Sequence, residues 1–154
     1  MDVRQYRDYV VVPALGRINA YSRAAEQLVI GTALAESGLV FLQQIGRGPA
    51  RGFIQMEPAT HDDIWERYLS RNLDLLNNLK GLLIRDMDLH DQLRGNLFYA
   101  AAMCRIHYLR FKEPLPQAND WPGMAAYWKK YYNTPAGAGT VEGFLKKARP
   151  AFDL

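Results

Sequence analysis

The apolar pattern that most constrains the fold lies between Ser22 and Ser37. Apolar residues recur there at spacings of three and four, as they do on the buried face of an α-helix. Ser22 is a residue type that caps helix N-termini, and Gly38 is the type that ends helices in a left-handed conformation. The sequence therefore predicts a well-bounded helix whose last turn carries Glu36.

Shorter patterns of the same kind cover most of the remaining chain. They predict a short helix over residues 2–12 that Pro13 stops, and helices from Thr60 through Tyr68 and from Ser70 to Leu83. Further helices are predicted over about Gly95–Phe111, over about Pro122–Tyr132 and after Thr140, which would cap the last one. The glycines and prolines between residues 39 and 58 indicate a loop with at most a small β-hairpin. The acidic run 86–91 is typical of a solvated connector. We therefore expect a mainly α protein, a single domain of residues 1–154 with about seven helices.

The composition fits an ordinary globular enzyme or binding domain. The 154 residues can bury a substantial core, and 49% of them are hydrophobic while 23% are charged. The single cysteine, Cys104, excludes an intramolecular disulfide and lies in an apolar run that predicts burial. The net charge of +3 is mildly basic, and without a basic stripe it gives no reason to expect nucleic-acid binding.

The chain has no stretch long enough to span a bilayer, so we expect no membrane insertion. We also expect a monomeric protein. Charged residues of both signs precede a short apolar run that Pro13 ends, which is unlike a signal peptide. We therefore expect a protein made in the cytoplasm without a signal peptide, which would need another route to an extracytoplasmic target.

Glu36 is the best candidate for catalysis. At the end of an apolar helix a carboxyl can be partly desolvated, which raises its pKa and lets it donate a proton. The glycine-rich turn that follows lets the chain reverse, so we expect the amide side chain of Gln55 near Glu36. Cleavage of a glycosidic bond requires at least a proton donor beside polar side chains that can bind the sugar. Glu57 adjoins this turn and is a candidate second carboxylate, whereas Asp62 and Asp63 are explained by an acidic helix N-terminus.

Three segments in order resemble the motifs of lysozyme-like soluble lytic transglycosylases. They are the pair Glu36-Ser37, the segment 50–55 followed by Pro58-Ala59-Thr60, and the pair Tyr132-Asn133. The separation of Glu36 and Gln55 is close to that usual in the family. The resemblance implies a lysozyme-like fold and peptidoglycan glycan strands as the partner.

The resemblance also implies the roles of individual residues. Glu36 would be the general acid/base that cleaves the β-1,4 bond between N-acetylmuramic acid and N-acetylglucosamine. It would then deprotonate the muramoyl 6-hydroxyl to give a 1,6-anhydro product, so that one carboxylate suffices. Gly52 and Gln55 would form the glycan-binding wall, and Tyr132 would position the Glu36 carboxyl. The remaining members of the same motifs, expected at the substrate site too, are Ser37, Phe53 and Asn133.

The chain departs from the family pattern at three places. Tyr131 stands where a small residue is usual, Thr134-Pro135 precede the usual Ala-Gly, and residues 39–44 replace a Phe-x-Pro and Ser pattern. Two alternatives remain: a hydrolytic lysozyme with a second carboxylate, and a non-catalytic lysozyme-like module that binds glycan or is a structural part of an assembly.

We expect no cofactor, and the three histidines lack a metal-ligand spacing, so no metal site is expected either. By analogy the protein would act on the bacterial cell wall, as a bacteriophage endolysin released through a holin or as a virion component.

Overall fold

The computed structural model describes residues 1–154 and is mainly helical, without β-strands, which confirms the prediction of a mainly α protein. Some helices contain π or 3₁₀ turns that follow an α-helical stretch without interruption. The eight helices are α1 (Val3–Tyr6, Arg7–Val11 and Val12–Arg17), α2 (Arg23–Ser37), α3 (Pro58–Asp63, Ile64–Tyr68 and Leu69–Arg71), α4 (Leu73–Lys80), α5 (Leu89–Gly95), α6 (Leu97–Leu109), α7 (Trp121–Trp128 and Lys129–Asn133) and α8 (Val141–Ala148 and Arg149–Ala151).

Helix α2 is the buried centre of the molecule, and its predicted boundaries are confirmed. Ser22 Oγ accepts a hydrogen bond from the backbone N–H of Ala25 at 3.1 Å, and Gly38 ends the helix with φ +61°. The helix packs against α8 so closely that a Cβ at Gly31 would lie 2.5 Å from the ring of Phe144. The last turn of α2 carries Glu36 and leads directly into the loop that follows.

Ser22→Ala is expected to lower the free energy of unfolding by about 1 kcal/mol, because an N-terminal backbone N–H of α2 loses its side-chain acceptor. Urea denaturation measures the change. Ser70→Ala is the matched control: that hydroxyl is exposed at the end of α3 and donates only to the carbonyl of Glu66, so a change within about 0.5 kcal/mol is expected. Equal losses in both variants would contradict the capping role.

Pro13 does not stop the first helix, contrary to the sequence prediction. Helix α1 continues to Arg17, because the stretch Arg7–Val11 before the proline is a π-helical turn. In this wider turn the N–H of Val12 bonds to the carbonyl of Arg7. A widened turn accommodates a proline ring that would otherwise clash with the preceding helical turn.

Other boundaries differ from the prediction too; for example, the helix predicted to reach Leu83 ends at Lys80. Helix α3 begins at Pro58 rather than Thr60, since proline is favoured in the first helical turn. Helix α4 begins at Leu73 instead of Ser70. The run 86–91 is not a connector throughout: α5 begins at Leu89, capped by the Asp88 carboxylate, which accepts from the backbone N–H of His90. The seven residues of α5 are too few for an apolar pattern to be recognised from the sequence.

The loop between α2 and α3 contains only two isolated bridges, Gln43 with Arg51 and Arg51 with Met56, as expected for a loop with little β-structure. The buried apolar side chains form one contiguous core that includes residues of every region from α1 to α8, and Cys104 is fully buried as predicted. None of the helices combines the length and apolar character needed to cross a bilayer.

Candidate functional site

The Glu36 carboxyl is partly buried and has one direct hydrogen-bond donor. Trp128 Nε1 on α7 donates to Glu36 Oε1 at 2.9 Å. Lys147 on α8 lies nearby and donates from Nζ to the carbonyl of Ala35 at 2.6 Å. Burial raises the pKa of Glu36, while the indole bond and the Lys147 charge partly oppose the rise. The result is a carboxyl that holds its proton to higher pH than an ordinary glutamate, as a general acid must.

Glu36 lies where two open depressions adjoin. The first has a volume of about 320 Å³ and the second of about 330 Å³, and Glu36, Gln55 and Glu57 line both. The other residues of the first depression are mostly polar: Met56, Thr60, His107, Tyr132, Asn133 and Thr134. The other residues of the second are Phe41, Gln44, Ile45 and Ala50. The two depressions together form a groove across Glu36 that can accept an extended, polar ligand.

Five of the residues predicted from the sequence are brought together in this groove. They are Glu36, Gln55, Glu57, Tyr132 and Asn133. They come from the end of α2, from the following loop and from the end of α7, so folding joins parts of the chain that are far apart in sequence. Gln55 has φ +46°, and its side-chain Nε2 donates to the carbonyl of Gly52 at 2.8 Å. This bond holds the turn that faces Glu36.

The other three predicted residues do not line either depression. Ser37 is buried, and its hydroxyl donates to the carbonyl of Ala33 and accepts from the N–H of Leu39, which completes the end of α2. Phe53 is buried with its ring edge-on to Tyr6 at 5.9 Å. Ser37 and Phe53 thus support the groove from inside the protein.

Gly52 also lies behind the groove. It has φ +75°, and a Cβ there would lie 2.0 Å from the carbonyl oxygen of Leu93 on α5. Glycine is therefore required at this position for the turn to pack on α5, and its predicted place in the glycan-binding wall is not where the structure puts it.

Tyr132 does not make the contact expected of it. Its hydroxyl donates to the backbone carbonyl of Ile54 at 2.7 Å, which joins α7 to the loop, whereas the Glu36 carboxyl is held by Trp128. The two aromatic residues are four positions apart on one helix and so lie on the same face. That spacing was the available sequence signal, but aromatic residues packed in the core have the same spacing.

His107 is a second residue of the site that the sequence did not single out. Its Nε2 lies 2.9 Å from the carbonyl of Tyr131, and Arg110 Nη2 lies 2.9 Å from its Nδ1. Burial lowers the pKa of His107 to about 4, so the ring is neutral near pH 7, donates from Nε2 and accepts at Nδ1. Its ring contacts that of Tyr132, with centroids 4.6 Å apart. His107 therefore supports the wall of the groove and carries no charge there.

Trp128→Phe is expected to raise the pKa of Glu36 further, because the indole N–H stabilises the ionised carboxylate. The measurement is a ¹³C NMR titration of the Glu36 side-chain carboxyl in both proteins. Trp121→Phe is a suitable control, since Trp121 is also a buried tryptophan of α7 but its ring stacks on Phe152 and its N–H has no partner. An unchanged Glu36 titration in Trp128→Phe would show that the indole does not tune the carboxyl.

Comparisons of the chain with protein-family models, with curated proteins and with solved structures found no match. The functional interpretation therefore rests on the chemistry of the groove: a carboxyl of raised pKa, held by one indole N–H, with polar side chains on both sides. Such a group can give a proton to a bound ligand and take one back.

One set of side chains outside the groove could hold a metal ion. It consists of His61, Asp62 and His90, whose candidate ligand atoms all lie within 4.8 Å of one another. The sequence spacing did not indicate it, since His90 lies 28 residues from Asp62 and meets it only in the folded chain, where His90 Nε2 lies 2.6 Å from Asp62 Oδ1.

Proposed function

We propose that the protein is a peptidoglycan-cleaving glycosidase of lysozyme-like fold that acts as a lytic transglycosylase, with Glu36 as its single general acid/base. The observation that carries the proposal is the Glu36 carboxyl, whose pKa burial raises, at the junction of two open depressions. The ordered resemblance of three sequence segments to soluble lytic transglycosylases supports the same assignment.

In the proposed reaction the protonated Glu36 gives its proton to the glycosidic oxygen between N-acetylmuramic acid and N-acetylglucosamine. The bond from the muramoyl C1 to that oxygen breaks, and the sugar ring takes on oxocarbenium character. The ionised Glu36 then removes the proton of the muramoyl 6-hydroxyl as its oxygen attacks C1. Glu36 ends the cycle protonated, the product is a 1,6-anhydro sugar, and no water is consumed.

The surroundings of Glu36 suit both halves of this cycle. Burial favours the protonated form that starts the reaction, and the N–H of Trp128 stabilises the carboxylate after the proton has left. Gln55 and Asn133 offer amide groups at hydrogen-bonding positions along the groove, as a saccharide requires. The partner would be the glycan strands of the bacterial cell wall, which a phage endolysin or a virion component would meet.

A hydrolytic lysozyme mechanism is the second candidate, because Glu57 lines both depressions together with Glu36. In that mechanism Glu57 would activate a water or form a covalent intermediate, and the product would carry a reducing end. The side chain of Glu57 is exposed, unlike that of Glu36, so the two carboxyls differ in environment as acid and base pairs do.

Mass spectrometry of purified peptidoglycan digested by the protein tests these assignments. Anhydro-muropeptides are expected from the proposed transglycosylase. Reducing-end muropeptides would favour the hydrolase with Glu57. Intact glycan would contradict both enzymatic assignments and favour a glycan-binding module of the same fold.

A further inference from the structure

Two imidazole rings converge on one carboxylate oxygen beside the start of α3. His61 Nδ1 lies 3.0 Å from Asp62 Oδ1, and His90 Nε2 lies 2.6 Å from the same oxygen. The ring centroids of the two histidines are 5.1 Å apart, with the ring planes at 85°. None of the three residues lines the groove around Glu36. The cluster is therefore separate from the proposed catalytic site and does not depend on its function.

The spacing of the two rings is that of a metal-binding pair. Zinc binds histidine nitrogens at about 2.0–2.1 Å in tetrahedral geometry, which places the centroids of two bound rings roughly 5 Å apart. The Asp62 oxygen lies where the two ring nitrogens are aimed, close to the position a cation would take. Because the Asp62 side chain is half exposed, it can turn aside and bind the cation as a third ligand.

The buried histidine is held in place by further hydrogen bonds. Nε2 of His61 lies 2.7 Å from the hydroxyl of Tyr99, which accepts from Trp65 Nε1 at 2.8 Å. With a cation at Nδ1, the ring proton of His61 lies on Nε2, which donates a hydrogen bond to the hydroxyl oxygen of Tyr99. A hydrogen bond from the second ring nitrogen is what usually orients a metal-binding histidine. His61 itself is only 1% exposed, so its ring cannot turn away.

Charge and access also favour a cation. Asp88 lies close enough to act electrostatically on His61 and adds a second carboxylate to the neighbourhood. The side chains of His90 and Asp62 are 30% and 50% exposed, so an ion can enter from solvent and water can complete its coordination. Two imidazoles with one carboxylate suit borderline ions such as Zn²⁺ better than Mg²⁺ or Ca²⁺, which prefer oxygen ligands.

We propose that His61, Asp62 and His90 form a binding site for one divalent transition-metal ion of the Zn²⁺ class. Each residue supplies one ligand atom, and water fills the remaining positions. The ion joins the first turns of α3 to α5, which without it are linked here by the hydrogen bond from His90 to Asp62 and by the edge-on contact of the His61 and His90 rings. Binding therefore stabilises the folded chain against separation of these two helices.

Isothermal titration of Zn²⁺ into the metal-free full chain at neutral pH tests the proposal. One Zn²⁺ per chain is expected, with no heat from Mg²⁺. At a free Zn²⁺ concentration of 100 times the Kd, the unfolding equilibrium constant should fall about 100-fold, seen as a higher Tm. His90→Ala and Asp62→Asn should each weaken binding at least tenfold. Asp86→Asn, which changes an exposed acid outside the cluster, should bind as the wild type does.

Two results would overturn the site: no Zn²⁺ binding by the wild type, or binding unchanged in both His90→Ala and Asp62→Asn. Circular dichroism and the metal-free Tm establish that each variant is folded. If His90→Ala does not fold, Asp62→Asn alone decides, because its half-exposed side chain can be exchanged for a neutral one of the same shape.

Discussion

Glu36→Gln is expected to lower the rate of peptidoglycan cleavage by a factor of about 10²–10⁴, the usual contribution of a positioned general acid/base. Glutamine keeps the shape of the side chain and an oxygen that can accept the Trp128 hydrogen bond, but it cannot give a proton to the leaving oxygen. The measurement is the loss of turbidity of purified cell walls. Undiminished lysis by this variant would refute the proposed role.

The same substitution should not unfold the protein. Burial raises the folded-state pKa of Glu36 above its unfolded value, so the contribution of this group to stability is fully present below the unfolded pKa. It is lost as the pH rises through the folded pKa, because the ionised carboxylate is partly desolvated. Glutamine never ionises, so at pH 7 the Tm of Glu36→Gln should equal or exceed that of the wild type.

Substitutions of two other glutamates serve as comparisons for Glu36→Gln. Glu66→Gln changes an exposed carboxyl of α3 outside the groove and should leave both lysis and Tm unchanged. Glu57→Gln separates the two mechanisms. A single-carboxylate transglycosylase should still form anhydro products, whereas a hydrolase that depends on Glu57 should lose activity to the same extent as Glu36→Gln.

Gly52→Ala is expected to lower the free energy of unfolding by about 2–5 kcal/mol. The left-handed φ of +75° costs an alanine about 1–2 kcal/mol. The added Cβ would also lie 2.0 Å from the backbone oxygen of Leu93, and forcing the loop and α5 apart costs about 1–3 kcal/mol further. Urea denaturation with a linear extrapolation measures the sum.

Gly46→Ala is the matched control for that substitution. Gly46 lies in the same loop with φ +79°, and a Cβ there meets no atom within 4 Å. Only the backbone cost of about 1–2 kcal/mol is expected. If the two variants lose equal stability, the close packing of Gly52 on α5 is not what requires a glycine there.

The elements that could be predicted from the sequence are those specified by neighbouring residues. Helix α2 carries its cap, its apolar spacing and its terminal glycine within one segment, and its boundaries are confirmed. Helix α1 was predicted too short, because a π-helical turn before Pro13 has no recognised sequence signal. Helix α5 was missed because seven residues present too little apolar pattern, and it is held by packing of Leu93 and by the Asp88 cap.

The residues of the site likewise include some whose position the sequence predicted and some whose contacts only the structure shows. The order of the motifs predicted that Glu36, Gln55 and Tyr132 would come together, and all three line one depression. The predicted partner of the carboxyl was wrong, since which of two aromatic residues on one face of α7 reaches Glu36 depends on how α7 packs against α2. The spacing of residues in the sequence does not give the distance from each aromatic side chain to the Glu36 carboxyl.

The sequence by itself determined a helix whose last turn carries Glu36, a glycine-rich loop after it and a mainly helical chain, because caps, turns and apolar periodicity act between near neighbours. Only the tertiary structure decided that Glu36 is partly desolvated and held by Trp128, and that His61 and His90 meet at Asp62. Desolvation and hydrogen bonds between distant helices depend on which surfaces pack together, and packing is a property of the whole chain.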